Sequence, residues 1–244
     1  MSKIKIYAMI PARYGSTRLK MKNLALIAGK PMISYAIAAA KESGVFDRIF
    51  VNSENVIFKK IADKYKVDFY HRPKDLGSSH TKSNSVVADF MQKHLEASIV
   101  VWVNPIAPFQ TGAEIAEIVD FFINNELDSL ITIEDKQVHC NYKRKPVNYM
   151  VEEQFAQTQD LEPVQAFVYS IMMWRRDIFL HEFTKSGYAL FCGNFGVFSV
   201  CKLSSSIIKT AEDLKLADFL MRSINNLSSS YKIKYDKLVK NYQK

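Results

Sequence analysis

The sequence predicts an α/β protein with a parallel sheet and helices packed on both of its faces. Three observations carry this expectation. Strand-sized apolar runs alternate with segments whose apolar residues recur at helical spacing. Each run, such as Ile99–Val103 or residues 167–174, is far shorter than the roughly 20 residues that span a bilayer. The first run breaks into a cationic loop, and open α/β sheets bind ligands at the carboxyl ends of their strands.

Residues 5–10 form the first expected strand. After the loop, Pro31 sits where a helix opens, MISYAIAAAKES carries it, and Gly44 ends it in the left-handed conformation. Residues 48–52 are the second strand. Asn55 then caps a helix that runs through Lys66, with Ile57, Ile61, Ala62 and Tyr65 on one face. A short strand over 67–70 leads into HRPKDLGSSHTKSNS, a polar, turn-rich stretch long enough to shape a site. Ser83 or Ser85 caps the next helix, whose Val86, Val87, Phe90, Met91 and Leu95 make a core stripe.

Ile99–Val103 is expected as a central strand, and the NPIAPFQ turn after it lies beside the first loop. Residues 114–124 read as a helix and 129–133 as a strand. From 135 to 186 the alternation weakens. It returns with a strand over 193–200 and a helix over 211–225, capped by Thr210 and carrying Glu212 and Asp213 in its first turn. There is no internal repeat, and 244 residues fit one domain, 1–244, with an excursion in 135–186.

Composition narrows the function. With 48% hydrophobic residues, 8 Gly and 7 Pro, the chain is globular, and its opening residues lack the pattern of a secretory signal, so a cytoplasmic protein is expected, without a membrane partner. Cys140, Cys192 and Cys201 are too scattered for a disulfide framework or a zinc site; Cys192 and Cys201 read as small apolar residues. A formal charge of +8 favours acidic partners, and nucleotides or acidic sugars meet that as readily as nucleic acid. The lysines of 231–244 alternate with Tyr231, Ile233, Tyr235, Leu238 and Tyr242; a solvated edge is the reading taken, with nucleic-acid contact as its rival.

The loop IYAMIPARYGSTRLKMKN, residues 6–23, suits a polyphosphate. Gly15 lets the backbone approach an anion, Ser16 and Thr17 offer hydroxyls, and Arg13, Arg18 and Lys22 supply charge for several phosphate oxygens. It has neither the GxxxxGK[ST] spacing of a P-loop nor the GxGxxG of a dinucleotide fold. The competing reading is an ordinary strand followed by a solvated basic turn.

That loop and the following LIAGKPMISYAIAAAKESGVFDRIFVNSE, residues 26–54, resemble the CMP-sugar synthetases, whose usual pattern is close to IPARGGSKRIPRKN and then LAGKPLIAYTIEAALESGLFDRVVVSTD. These cytidylyltransferases activate sialic and related nonulosonic acids and, with a different loop, 3-deoxy-manno-octulosonic acid. The similarity continues more weakly through KKIADKYK, VWVNPIAPFQ, QTQDLEPVQ and IIKTAEDLKLAD.

The resemblance implies a Rossmann-like nucleotide-diphospho-sugar transferase fold with a mixed, mostly parallel sheet and a small dimerisation excursion over 135–186, in a homodimer. It implies transfer of CMP from CTP to an acidic sugar or related acid, with release of pyrophosphate. Residue by residue, it assigns Arg13, Arg18 and Lys22 to catalysis. Pro11, Ala12, Arg13, Gly15, Ser16 and Asn23 go to the nucleotide, with Ser53 and Ser83 toward base or ribose, Ser83 having a helix-cap reading as its rival. Asn104, Gln110, Gln159 and Tyr169 fall on the acceptor side.

Two departures stand out. The family's DIDT aspartates, which hold a magnesium ion, fall on Ile207 and Lys209, and neither side chain offers the oxygen donor that magnesium requires. Three explanations follow: Glu212 or Asp213 takes the role; Lys209 replaces part of the ion's charge; or the chain binds nucleotide, or a CMP-sugar, without turnover and regulates or scaffolds a partner. The family's QPTSPLR has become Asn104 to Gln110, and its NGAIYI text falls on 168–173, losing donors and predicting an unusual acceptor. His71, His80 and His139 are too dispersed to argue for a metal centre. Tyr7 and Trp102 read as core or sheet-face residues, and Tyr14 has both a loop and a base-stacking reading.

Overall fold

The computed structural model describes residues 4–16, 18–152, 154–226 and 235–236. In chain order the elements are β1 (Ile6–Pro11), β2 (Leu26–Ile27), β3 (Lys30–Pro31), α1 (Ile33–Glu42), β4 (Arg48–Ser53), α2 (Ile57–Tyr65), β5 (Asp68–His71), α3 (Ser83–Lys93), β6 (Ile99–Val103) and α4 (Gly112–Asn124). They continue with β7 (Ser129–Lys136), β8 (Asn141–Tyr142), β9 (Lys145–Pro146), β10 (Val164–Arg175), α5 (Arg176–Ser186), β11 (Phe195–Ser199) and α6 (Ala211–Asn226). The main sheet has the order β11-β7-β10-β6-β1-β4-β5. Every neighbouring pair in it is parallel except those of β10, which runs antiparallel to both β6 and β7.

Strand periodicity explains why helices cover both faces. In β1, Ile6, Ala8 and Ile10 join a core with Ile33, Ala36 and Ile37 of α1, Phe58 of α2 and Ile115, Ile118 and Phe122 of α4. Tyr7 and Met9 point the other way, into a core with Val87, Phe90 and Met91 of α3 and Phe179 of α5. Burying a residue such as Ile10 or Met9 completely contributes about 1.5–3 kcal/mol each, so the strand that feeds the first loop is held firmly from both sides. Tyr7 therefore belongs to the core, as its sequence context predicts.

Several boundaries differ from expectation for identifiable reasons. Pro31 pairs with Leu26 in a small hairpin, because Ala28 and Gly29 both take positive φ (45° and 80°) and turn the chain tightly; α1 starts only at Ile33. Gly44, at φ 69°, follows α1 as predicted. In α2 the anchor is Phe58, fully buried, whereas Ile57 is exposed; Asn55 Oδ1 does accept from the Ile57 amide at 3.0 Å. Neither Ser83 nor Ser85 caps α3, which begins after Lys82 without a side-chain cap, and Leu95 lies exposed beyond its end. Thr111 caps α4 by accepting from the Glu114 amide at 3.2 Å. Thr210 caps α6 as expected, accepting from the Asp213 amide at 3.2 Å.

The largest difference concerns residues 135–186. The apolar run within them does not leave the main sheet: it forms β10 and inserts at its middle, with Met173 opposite Val101 of β6 and Leu130 of β7. Its ladder to β7 is interrupted between Phe167 and Met172, where Tyr169 takes φ 61°. Between β7 and β10, the described residues belong to no strand of the main sheet and include the separate β8–β9 hairpin. Cys192 is buried, but Cys201 is exposed, so its small-apolar assignment does not hold. Thr17 and the basic segment 231–244 lie outside the described residues, apart from Tyr235 and Asp236. No described helix is long and apolar enough to cross a membrane.

Candidate active site

A cleft of about 250 Å³ opens where β1 and β6 end, walled by the first loop, by 72–83 and by Lys209. Parallel strands present their last residues together at this edge, and a loop leaving one of them is anchored before it diverges. Here the Ala12 amide still donates to the Asn52 carbonyl of β4 at 2.9 Å, and the Tyr14 amide donates to Glu54 Oε1 at 2.7 Å. Asn23 closes the loop, its Nδ2 reaching the Arg13 carbonyl at 3.5 Å while its buried Oδ1 has no partner.

Glu54 does more than hold the loop. Its other carboxylate oxygen pairs with Arg72 Nη2 at 2.7 Å, and the pair is almost wholly buried. Arg72 follows β5, its amide donating to the Ser53 carbonyl at 3.1 Å and its Nη1 to Asn52 Oδ1 at 3.4 Å. Burial lowers the guanidinium's pKa, and the Glu54 carboxylate opposes that shift. The Arg72 Nε is buried without a partner in the cleft wall. One carboxylate thus ties the first loop to a cleft-lining arginine.

Gly77 packs against that carboxylate: an added Cβ would lie 2.4 Å from Glu54 Cγ and Cδ. A Gly77→Ala protein is expected to lose about 1–2 kcal/mol of stability through forced displacement, and chemical denaturation measures it. An unchanged unfolding midpoint would show that Glu54 yields freely.

The cations converge. Arg13, Arg18, Lys22, Arg72 and Lys209 all line the cleft, and among its described lining residues there is no carboxylate. Burial first, then repulsion from Arg18, Arg13 and Lys209, pushes the Lys22 ammonium down to about 8. Lys22 Nζ donates to the Ile208 carbonyl at 3.2 Å, which joins the first loop to the segment before α6. Such a set of charges is unfavourable without an anion among them.

The structure brings together Pro11, Arg13, Ser16, Arg18, Lys22, Asn23, Ser83 and Asn104 of the residues singled out in the sequence. Others stand apart. Ala12 is in the core, and Ser53 is fully buried, accepting from the Asn55 amide at 3.2 Å. Gly15 and Tyr14 face a neighbouring groove with Tyr70 and Arg72; an added Cβ at Gly15 would meet nothing within 4 Å, so the fold itself does not require glycine there. Gln110 is buried and donates to Glu114 Oε2, and Gln159 sits on an exposed turn bonded to Gln157 and Gln137. The Tyr169 carbonyl accepts from Asn104 Nδ2 at 3.0 Å, but its ring lies outside the cleft against Phe167.

Sequence reasoning missed Arg72, for which the only signal is an arginine directly after a parallel strand in HRPK. Trp102, read as a core or sheet-face residue, does pack against the core from β6; what the sequence did not show is that it also lines the cleft, its Nε1 buried without a partner.

The donor set does not suit magnesium, which takes one or two carboxylates beside phosphate oxygens. Asp213 is occupied: its Oδ2 accepts the Lys209 and Thr210 amides, each at 2.8 Å, and Lys209 helps keep it ionised. Ile207 is packed against the core. Among the described residues no cluster of three His, Cys, Asp or Glu side chains fits a metal ion.

The family model for cytidylyltransferases matches residues 7–188. An N-acylneuraminate cytidylyltransferase of Streptococcus agalactiae is 26% identical over 197 residues, which are 76% of this chain and 48% of that protein; the chain spans about half the length of this relative. A post-translational flagellin modification protein B of Campylobacter coli is 25% identical over 241 residues, 91% of this chain and 97% of that one. Among solved structures, a CMP:2-keto-3-deoxy-manno-octonic acid synthetase complexed with CTP superposes with a TM-score of 0.69 at 16% identity, covering 90% of this chain and 99% of its own. That likeness shows a shared Rossmann-like fold, and the family match covers the first loop, the Glu54–Arg72 tie and β6. The chain belongs to the cytidylyltransferase family.

Proposed function

We propose that this cleft binds CTP and transfers its cytidylyl group to an acidic sugar of the nonulosonic class. The supporting observation is the convergence of Arg13, Arg18 and Lys22 on one cleft beside hydroxyl and amide donors from Ser16, Ser83, Asn23 and Asn104. The acceptor's hydroxyl oxygen attacks the α-phosphorus, the bond to the bridging oxygen breaks, pyrophosphate leaves, and the hydroxyl proton passes to solvent. Charge grows on the leaving pyrophosphate, and Arg13, Arg18 and Lys22 neutralise it, which is the larger part of catalysis in phosphoryl transfer. Ser83 serves the ribose or base, and Asn104, steadied by the Tyr169 carbonyl, serves the acceptor.

The acceptor class follows the relatives, whose names specify N-acylneuraminate and 2-keto-3-deoxy-manno-octonic acid. A homodimer built through 137–163 accounts for the exposed Val147, Met150, Val151 and Phe155 of that excursion. A CTP substrate supports a cytoplasmic location.

Pyrophosphate release from CTP with a panel of nonulosonic acids tests the reading. Release is expected with at least one acid and with CTP at least tenfold faster than with UTP, the order of discrimination that one or two specific base contacts give. Tight CTP binding in folded protein that stays silent across the panel would support a nucleotide-binding relative without turnover.

A further inference from the structure

The charged side chains that line the cleft, Arg13, Arg18, Lys22, Arg72 and Lys209, are all cations. Segment 207–210 is pinned from three directions. The Ile208 amide donates to the Ile106 carbonyl at 2.9 Å, its carbonyl accepts Lys22 Nζ at 3.2 Å, and the Lys209 amide is held by Asp213 at 2.8 Å. Ile208 itself is buried in a core with Ile27, Phe109 and Met221. Lys209 is thereby fixed at its backbone, and its side chain takes part in the same cleft as Arg13, Arg18 and Lys22.

The acidic groups near this cleft are bonded outside it, although the Asp213 charge is still felt at Lys22. Glu54 serves Arg72 and the Tyr14 amide, and Asp213 serves the amides that open α6. An anion entering the cleft therefore meets five lining cations and, among the described lining residues, no carboxylate. A divalent ion bridging its oxygens would have to sit among ammonium and guanidinium groups, with no side-chain carboxylate to offset their repulsion.

We propose that the Lys209 ammonium is the resident counter-charge for the triphosphate, so that this cleft takes up a nucleoside triphosphate without a divalent ion. The inference rests on the reading that the cleft is a triphosphate site; it adds that the protein's own cations complete the neutralisation a metal ion otherwise supplies. Lys209 is a positioning and binding residue in this sense. It contacts the phosphate oxygens and takes no proton from the acceptor.

Titration calorimetry of the full chain with inorganic tripolyphosphate, CTP and UTP, in EDTA and in excess magnesium, decides the matter. Tripolyphosphate and CTP are expected to bind in EDTA with affinities within about threefold of those in magnesium. Lys209→Met is expected to weaken both about tenfold in EDTA, as loss of a hydrogen bond to a charged group does. Lys209→Arg keeps the charge and should stay within about threefold of the parent protein, which separates lost charge from lost folding. Lys209→Asp should convert binding to a magnesium-dependent process.

Binding of tripolyphosphate and CTP at least tenfold tighter with magnesium than without it would overturn the inference and leave the cytidylyltransferase reading intact, as would a neutral Lys209→Met. Metal-free binding of tripolyphosphate with CTP no tighter than UTP would sustain the inference and remove the cytidine reading. Failure of tripolyphosphate to bind in either buffer would overturn it together with the triphosphate site.

Discussion

Replacing Glu54 with alanine is expected to lower folding stability by about 3–5 kcal/mol, the cost of stranding one member of a buried ion pair. The Arg72 side chain is 3% exposed and that of Glu54 10%, so water cannot take over the lost partner. The variant would leave the Arg72 guanidinium with the Asn52 side chain at 3.4 Å as its remaining side-chain bond. The Tyr14 amide would lose its acceptor in the same step, freeing the first loop. Urea unfolding of three proteins tests this account: Glu54→Ala, Arg72→Met and the double variant. The double variant is expected to recover more than half of the loss, because an apolar side chain of similar length tolerates burial where an unpaired cation does not. A loss below 1 kcal/mol in Glu54→Ala, or a double variant no better than the single, would show that the pair does not hold the loop.

What the sequence discloses here is local pattern, and what it conceals is long-range pairing. β1 was legible because an unbroken apolar run meets a loop of Pro, Gly, Ser and basic residues, and the structure puts Arg13, Ser16, Arg18, Lys22 and Asn23 of that loop in one cleft. α6 was legible because Thr210 and Asp213 stand at capping distance in sequence. The apolar run of β10 was legible but its place in the sheet was not, since an antiparallel strand entering between β6 and β7 from 61 positions beyond Val103 leaves no signature in the alternation that marks parallel crossovers. Arg72 was hidden for a similar reason: the partner that justifies a buried arginine, Glu54, lies on another strand's exit, 18 residues earlier. Trp102 was legible as a strand residue packed on the core, but not as part of the cleft, because pattern alone does not show where a sheet face opens at its edge. Lys209 stood out only as a departure from the related pattern; the fold brings it into the cleft, where its charge acts on Lys22.

Replacing Lys22 with alanine is expected to weaken CTP binding by about 1.5–3 kcal/mol, the range for a hydrogen bond to a charged group. Its role is also readable from pH. Its ammonium is held down near 8, against an ordinary 10.5, by burial and by Arg18, Arg13 and Lys209. The unfolded chain therefore binds this proton more tightly than the folded one between those two values. This group's contribution to stability is least favourable below pH 8 and improves as pH rises toward 10.5. An incoming triphosphate reverses the shift, since its negative charge favours the ammonium. At pH 8 to 9, CTP binding is then accompanied by proton uptake, and affinity falls as pH climbs further and the free protein gives up the Lys22 proton. Calorimetry in buffers of different ionisation enthalpy reads the uptake directly. Lys22→Ala should abolish it and flatten the affinity profile across that window. An unaltered profile in the variant, with unaltered affinity, would place the triphosphate away from Lys22 and from the cations that crowd it.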